Sequence, residues 1–269
     1  MEYSHGRKFG QNFLDSLEIV LKILSIAGIG KTDIVLEVGP GRGALTFEIA
    51  KRAKKVFAVE KDRNLARQLH GDMEKSRIKN CEIIEGDIRD IHPSIDFLGA
   101  ERYILLGNIP YYITARLFRK FLEEEPMQPE KIIFMVQREI AERIVSCEPD
   151  HTLLSVSIRA YGVPAIELFV PRTTFSPPPR VDSSVISVSL ISRKRFATHG
   201  VSEKDFFRVL RAGFSHPRKV IISNIAEALS LEKKSISNLF QEIGIQEKAR
   251  PSELSIEQWF FVAKKLSEM

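Results

Sequence analysis

The sequence predicts an α/β fold with an open, doubly wound sheet of parallel strands, followed by a small helical domain. Two observations support this. Between residues 33 and 145, short runs rich in Val, Ile and Leu alternate with amphipathic stretches of helical length. From about residue 194 only helical stretches remain. Near-continuous apolar runs separated by helices are typical of parallel strands covered on both faces, and right-handed crossovers then give an open sheet.

The predicted strands follow one another at intervals that leave room for one helix each. Such a sheet binds its ligands outside the carboxyl ends of its strands. Gly39, Glu60, Asp87 and Asn108 each close one apolar run, so we expect them to be neighbours. The runs are IVLEVG (34–39), KVFAVE (55–60), CEIIEGD (81–87), YILLGN (103–108) and KIIFMVQ (131–137).

After Thr152 the regular alternation of apolar runs and helical stretches ends. LLSVSIRAYG (153–162), AIELFVP (165–171) and SSVISVSLIS (183–192) have β character, and we expect them to extend the sheet as antiparallel edge strands. A Pro-rich connection, FSPPPRVDS, joins the last two. We predict a catalytic domain over residues 1–193 and a helical domain over residues 194–269. The predicted helices are EKDFFRVLRAGF, VIISNIAEAL, KKSISNLFQEIG and SIEQWFFVAKKLSE.

Composition and charge narrow the classes of function. The 269 residues carry a formal net charge of +5, yet the stretch 193–220 alone carries +6, with Phe residues among its charges. Such a block favours a polyanionic partner, although a solvated helical face is an equal alternative. No apolar run approaches the roughly 18 residues of a membrane span, and the N-terminus lacks a signal-peptide core. Cys81 and Cys147 lack metal-ligand spacing, so we expect reduced thiols in a cytoplasmic protein.

Three features at successive strand ends indicate a nucleotide-like ligand. EVGPGRG (37–43) is a glycine-rich turn between a strand and a helix, but it lacks both the dinucleotide spacing and a phosphate-cradling Gly-Lys pair. Glu60 ends the next strand, where a carboxylate can accept hydrogen bonds from both ribose hydroxyls. Asp87, in GDI (86–88), can accept one from an adenine amino group. Together they favour S-adenosylmethionine over NAD or ATP.

The strand that ends at Asn108 is followed by residues that suit methyl transfer to an amine. Asn108-Ile109-Pro110-Tyr111 resembles the N-I/L-P-Y motif of methyltransferases that act on the exocyclic amine of adenine. The Asn108 side-chain oxygen and the Ile109 carbonyl can accept the two N–H bonds of that amine, which directs its lone pair at the methyl donor. Pro110 fixes the backbone, and Tyr111 offers a face on which an extruded base can stack. This catalysis needs positioning and no metal.

Phe175 is a candidate for the opposite wall of the base pocket. Three prolines follow it within four residues and would stiffen its loop. A Phe in this setting is more often a core residue than a stacking partner, so both interpretations stay open.

With these residues in place, the whole chain resembles the ribosomal RNA adenine dimethyltransferase family, and within it the universal small-subunit branch. The resemblance implies a Rossmann-like class I S-adenosylmethionine methyltransferase domain with a small C-terminal helical domain. It also implies transfer of two methyls to each of two adjacent adenines near the 3′ end of small-subunit RNA, in a pre-ribosomal 30S-type particle. We expect a monomer. The matching motifs are GQNFLD, EVGPGRGALT, VEKD, GD, GNIPYYIT, FSPPPRVDSSV, AGFSHPRKVIISNI and RPSELSIEQW.

Carried over residue by residue, the resemblance assigns a cofactor site and a base pocket. The base pocket comprises Asn108, Ile109, Pro110, Tyr111 and Phe175. Tyr112 departs from the Asn or Gln usual in the small-subunit branch, and Pro217 from a second Arg. The cofactor contacts and their motif neighbours are Gln11, Asn12, Leu14, Gly39, Gly41, Glu60, Lys61, Asp87, Ile88 and Asn108.

Three other functions compete with this one. A macrolide-resistance methyltransferase would modify a single adenine of large-subunit RNA, but GQNFLD and the basic helical tail match the small-subunit branch better. A non-catalytic assembly factor on the same fold would not need Asn108–Tyr111. DNA adenine methyltransferases usually carry an acidic D-P-P-Y motif and a separate target-recognition domain, neither of which this chain has.

Overall fold

Five parallel strands lie side by side in a seven-stranded sheet, which confirms the predicted fold class. The computed structural model describes residues 12–268, without the side chain of Tyr111. The sheet order is β4-β3-β2-β5-β6-β9-β7, and β1 pairs with β8 in a separate two-stranded sheet. The strands are β1 Phe13–Leu14, β2 Ile34–Val38, β3 Lys55–Glu60, β4 Cys81–Glu85, β5 Tyr103–Asn108, β6 Lys131–Gln137, β7 Val163–Val170, β8 Phe175–Ser176 and β9 Ser183–Ser189.

The register of the parallel strands places their carboxyl ends at one edge. Val38 at the end of β2 pairs with Val59 of β3 and with Gly107 of β5. On the far side of β5, Asn108 pairs with Met135 of β6. Strands β3 and β4 are added on one side of β2, and β5 and β6 are added on its other side. Ligands in such folds bind at this switch point between β2 and β5.

The last two strands extend the sheet as predicted, but only one of them is an edge strand, because β9 lies between β6 and β7. β9 runs antiparallel to β6, and β7 lies at the edge beside β9. The Pro-rich connection therefore returns the chain from the edge strand into the sheet interior. It ends at the same edge as the carboxyl ends of the parallel strands, since Ser183 pairs with Gln137.

One predicted strand is wrong. LLSVSIRAYG was expected to be β, but Leu153–Tyr161 forms a helix. The β-branched Val156 and Ile158 favour a strand locally. The Thr152 side chain, however, accepts a hydrogen bond from the N–H of Ser155, and the Ser155 hydroxyl oxygen accepts one from the N–H of Thr152. This capping box starts a helix and outweighs the local preference.

The helices cover the sheet and then continue alone. Between α5 and β6, one π-helical turn spans Lys120–Glu124. The helices are α1 Leu17–Ala27, α2 Thr46–Ala50, α3 Arg63–Lys75, α4 Pro93–Asp96, α5 Thr114–Arg119, α6 Arg138–Val145, α7 Leu153–Tyr161, α8 Lys194–His199, α9 Glu203–Gly213, α10 Ile221–Leu229, α11 Lys233–Glu242 and α12 Ile256–Ser267.

The chain divides into two compact units. The first runs through Ala141 and resumes over Pro164–Ile191, and the second comprises Glu142–Val163 and Ser192–Met269. The core of the first unit packs α1 and α2 against the sheet through residues such as Ile23, Ile49 and Val35. The second unit packs α9 against α12, where an added Cβ at Gly213 would lie 2.4 Å from the buried Trp259 ring. No helix within residues 12–268 is long and apolar enough to span a membrane. The functional boundary at 193/194 stays a prediction.

Candidate active site

A cavity of about 660 Å³ opens at the carboxyl edge of the sheet, within the size range of small-molecule sites. The four strand-end residues that the sequence predicts as neighbours all line it. Gln11 lies outside the described residues, as does the Tyr111 side chain. The predicted site residues that line the cavity are Asn12, Leu14, Gly39, Gly41, Glu60, Lys61, Asp87, Ile88, Asn108, Ile109, Pro110 and Phe175.

The glycine-rich turn and Glu60 form one hydrogen-bonded unit. Gly41 has φ of +58°, a conformation that side chains rarely adopt. Its N–H donates to Glu60 Oε2 at 3.0 Å, while the Asp62 N–H donates to Oε1 at 2.8 Å. Burial raises the pKa of the Glu60 carboxyl, and these backbone donors counteract part of that rise. Glu60 therefore holds the turn after β2 against the end of β3.

Two basic residues hold Asp87, which lies just after β4. Arg89 donates to both carboxylate oxygens, at 3.0 Å to Oδ1 and 2.6 Å to Oδ2. The Lys61 ammonium lies 2.9 Å from Oδ2. The Arg89 guanidinium, and then Lys61, keep the pKa of Asp87 well below its usual range despite partial burial. Asp87 is thus ionised and fixed in place beside the cavity.

Asn108 lines the cavity, and a hydrogen bond orients its side-chain amide. Its Nδ2 donates to the Asn12 carbonyl at 3.3 Å. That bond commits the amide nitrogen, so the oxygen is the atom turned away from Asn12. The next residue is fixed as well, because the Ile109 N–H donates to the Met135 carbonyl at 3.1 Å. Before them, Gly107 is required by space, since a Cβ there would lie 2.6 Å from the Val38 carbonyl oxygen.

Phe175 lines the cavity and belongs to the core at the same time. It is buried, and it pairs with Leu14 in the antiparallel β1–β8 contact. Both residues join the apolar cluster that includes Val170 and Val185. The two interpretations of Phe175 are therefore compatible: its ring is anchored by the core and borders the cavity.

Glu37 is a site residue that sequence reasoning missed. It lines the cavity, is 1% exposed, and its Oε2 has no hydrogen-bond partner among the residues that the structure describes. Burial raises the pKa of Glu37 to about 8. An unpartnered carboxyl oxygen at a cavity wall can accept a hydrogen bond from a ligand group, which offsets the cost of its burial. Its sequence signal was a charged residue inside the otherwise apolar run IVLEVG.

Three further cavity-lining residues lie inside the matching motifs but were not predicted as site residues: Phe13, Arg42 and Tyr112. The Arg42 guanidinium lies 4.2 Å from the centroid of the Phe13 ring, and both line the cavity. Tyr112 also lines it with 69% of its surface exposed. Within residues 12–268, no cluster of three or more His, Cys, Asp or Glu could hold a metal ion.

The sheet order and the helices that cover the sheet give the Rossmann-like fold of class I S-adenosylmethionine methyltransferases. A dimethyladenosine transferase from Plasmodium falciparum has a similar structure, with a TM-score of 0.80 at 22% identity, over 95% of this chain and 98% of that chain. The 23S rRNA methyltransferase ErmE aligns with a TM-score of 0.73 at 24% identity, over 95% and 100%. At these identities the likeness shows the fold alone.

Sequence comparison identifies the family. The chain belongs to the ribosomal RNA adenine dimethylase family, whose model matches residues 4–268. Curated relatives named ribosomal RNA small subunit methyltransferase A include one from Dehalococcoides mccartyi, 42% identical over 93% of this chain and 84% of the relative. Another, from Fusobacterium nucleatum, is 34% identical over 98% of both chains. The resemblance found in the motifs is confirmed.

Proposed function

We propose that this protein transfers two methyls from S-adenosylmethionine to each of two adjacent adenines near the 3′ end of small-subunit rRNA. The observation that carries the proposal is the cavity itself. It combines the Gly39–Gly41 turn, three acidic side chains and the Asn108–Pro110 segment at one sheet edge. The names of the curated relatives support the small subunit as the target.

We assign the cofactor to the half of the cavity between β2 and β4. Glu60, braced by its two backbone donors, would accept hydrogen bonds from the ribose hydroxyls. Asp87 and Ile88 would border the adenine ring, and the unpartnered Oε2 of Glu37 would face the ammonium group. When bound, the cofactor supplies an electrophilic methyl on a sulfonium.

We assign the target adenine to the other half. The Asn108 oxygen, turned away from Asn12, would accept one N–H of the exocyclic amine, and the Ile109 carbonyl would accept the other. Pro110, with φ of −58°, keeps that carbonyl in place. Phe175 would form one wall for the flipped base, and the Tyr111 side chain is assigned the other on the sequence alone. These fixed acceptors position the amine without a general base of shifted pKa.

Docking on RNA is assigned to the C-terminal helices. Arg208, Arg218 and Lys219 are exposed members of the basic block in the second unit, and backbone phosphates are the partner that such a block suits. A pre-ribosomal particle as substrate, a monomeric state, a cytoplasmic location and catalysis without metal stay predictions.

One variant and one salt titration of the wild type test the assigned roles directly. Asn108→Ala removes the acceptor for the amine, so methyl transfer is expected to disappear while RNA affinity stays near the wild-type value. Retained turnover would contradict the role of the amide. In the same assay, RNA affinity of the wild type is expected to fall steeply as salt rises, and a flat dependence would contradict electrostatic docking.

A further inference from the structure

An exposed group of three arginines and one aromatic ring lies on the first unit, beside the cavity. We define it as the arginine–Phe surface: Arg138, Phe169, Arg172 and Arg180. Arg138 directly follows Gln137, the last residue of β6, at the edge where Asn108 ends β5. Arg172 and Arg180 flank Phe175, whose ring lines the cavity. Two of the arginines therefore lie in the same segment of the chain as one residue of the cavity wall.

Asp182 assembles this surface through the backbone. Its carbonyl accepts the Arg138 N–H at 3.1 Å, and its Oδ1 accepts the Arg172 N–H at 2.9 Å. One guanidinium nitrogen of Arg172 also donates to the Arg180 carbonyl at 3.4 Å. The loop that carries two of the arginines is thus tied to the end of β6. These hydrogen bonds fix the backbone at Arg138 and at Arg172.

The aromatic member is exposed in an unusual way. Phe169 keeps 56% of its surface exposed, and the Arg138 guanidinium lies 5.1 Å from its ring centroid. A cation over an exposed ring forms a flat, positively charged platform. Stacking on such a platform tolerates any base, because every base has a π-face. The ring is therefore accessible to an unpaired nucleotide.

Arg172 and Arg180 differ from most arginines of the first unit, whose guanidinium groups form ion pairs with carboxylates. Arg102 pairs with Glu130 and Arg116 with Glu124. Within residues 12–268, no carboxylate lies within ion-pair distance of Arg172 or Arg180. A guanidinium that no carboxylate holds is available to phosphate, for which its planar fork is well matched.

We propose that the arginine–Phe surface is a second RNA contact, on the catalytic unit, that binds the strand flanking the target adenine. Arg172 and Arg180 bind backbone phosphates, and Phe169 with Arg138 stacks on a neighbouring base. The inference rests on the proposed function, because it places single-stranded RNA at the cavity mouth. It differs from docking through the basic helices, since it acts next to the reacting base.

The test compares variants that remove arginine charges at the two opposite edges of the sheet. The surface variant is Arg172→Gln with Arg180→Gln, and the control is Arg102→Gln, which lies before β5 at the opposite edge of the sheet. Binding is measured to undermethylated small ribosomal subunits and to a single-stranded RNA with two adjacent adenines. Each lost phosphate contact lowers the slope of log affinity against log salt by about 0.7 for a single strand. The surface variant should therefore lose about 1.4 in slope, and the control none.

The aromatic member has its own pair of variants. Phe169→Ala should weaken RNA binding about 5- to 150-fold, the range for one stacked base, whereas Phe169→Tyr should retain it. In steady-state kinetics, the KM for RNA rises in the Ala variant while the KM for S-adenosylmethionine stays constant. Affinity for S-adenosylhomocysteine serves as the fold control, because a merely structural defect lowers it as well.

The outcomes separate this inference from the proposed function. If the wild type methylates small subunits and RNA binding is unchanged both in the double arginine variant and in Phe169→Ala, the inference alone is overturned. Absence of wild-type methylation of small subunits, with RNA binding still lost in the surface variants, would overturn the proposed function and support the surface.

Discussion

The buried ion pair between Lys120 and Glu125 gives the sharpest prediction about stability. The ammonium lies 3.2 Å from Glu125 Oε1, and the two side chains are 1% and 0% exposed. Glu125 also accepts from the Ser94 hydroxyl at 2.7 Å and contacts His92 Nδ1 at 3.0 Å. Lys120 donates to the Arg89 carbonyl at 3.5 Å. The pair therefore ties the helical segment after α5 to the loop that carries Asp87.

Lys120→Met removes the cation and leaves a carboxylate buried without it. Breaking a buried pair from one side costs about 3–5 kcal/mol. At about 2–4 °C per kcal/mol for a unit of this size, the melting temperature should fall by about 6–20 °C. The assay is thermal unfolding followed by circular dichroism at neutral pH.

Two controls identify burial as the cause. Lys120→Met combined with Glu125→Leu removes both charges, so most of the lost stability should return. Arg102→Met breaks an exposed pair of similar length, 3.0 Å, and should change little because water screens it. A single Lys120→Met variant that melts within about 1 °C of the wild type would refute the reasoning.

Three further predictions concern the cavity. Gly107→Ala should destabilise the protein by about 1–3 kcal/mol through overpacking, because the new Cβ would lie 2.6 Å from the Val38 carbonyl oxygen. The control is Gly71→Ala, whose Cβ would have no atom within 4 Å and which should be neutral or stabilising. Denaturant titrations measure both. Glu60→Ala removes the acceptor of the Gly41 and Asp62 N–H groups, and calorimetry should show at least tenfold weaker S-adenosylhomocysteine binding; equal affinity would contradict the ribose role. The raised pKa of Glu37, about 8 against an ordinary 4.5, means that its contribution to folding is complete below pH 4.5 and is lost as pH rises through 8. Glu37→Gln should flatten that part of the stability profile, and an unchanged profile would assign it to another group.

Periodicity and strand-end residues predicted most of the fold and the position of the site. The five apolar runs are strands, because buried parallel strands need continuous apolar residues, and their ends meet because they are parallel. The helix over Leu153–Tyr161 was missed, since its capping box depends on a hydrogen bond between two small polar residues. Local β propensity could not reveal it.

The remaining features of the site depend on distance in space rather than on sequence pattern. Glu37 reads as one charge within a strand, and only its burial beside the cavity shows that its Oε2 is unpartnered. The arginine–Phe surface joins the first residue of α6, a residue of β7 and two residues between β7 and β9, which no motif links. Asp87 was predicted as a free acceptor, whereas Arg89 and Lys61 hold it. Such partnerships arise only when the chain folds.

The measurement that tests the central claim most directly is methyl transfer from labelled S-adenosylmethionine to undermethylated small and large ribosomal subunits, with the modified bases mapped. The account predicts dimethylation of two adjacent adenines near the 3′ end of the small-subunit RNA and no label in the large subunit. A single modified adenine in the large subunit would contradict it and make Tyr112 the better guide to specificity. Absence of transfer to either subunit would contradict the enzymatic proposal and favour a non-catalytic assembly factor.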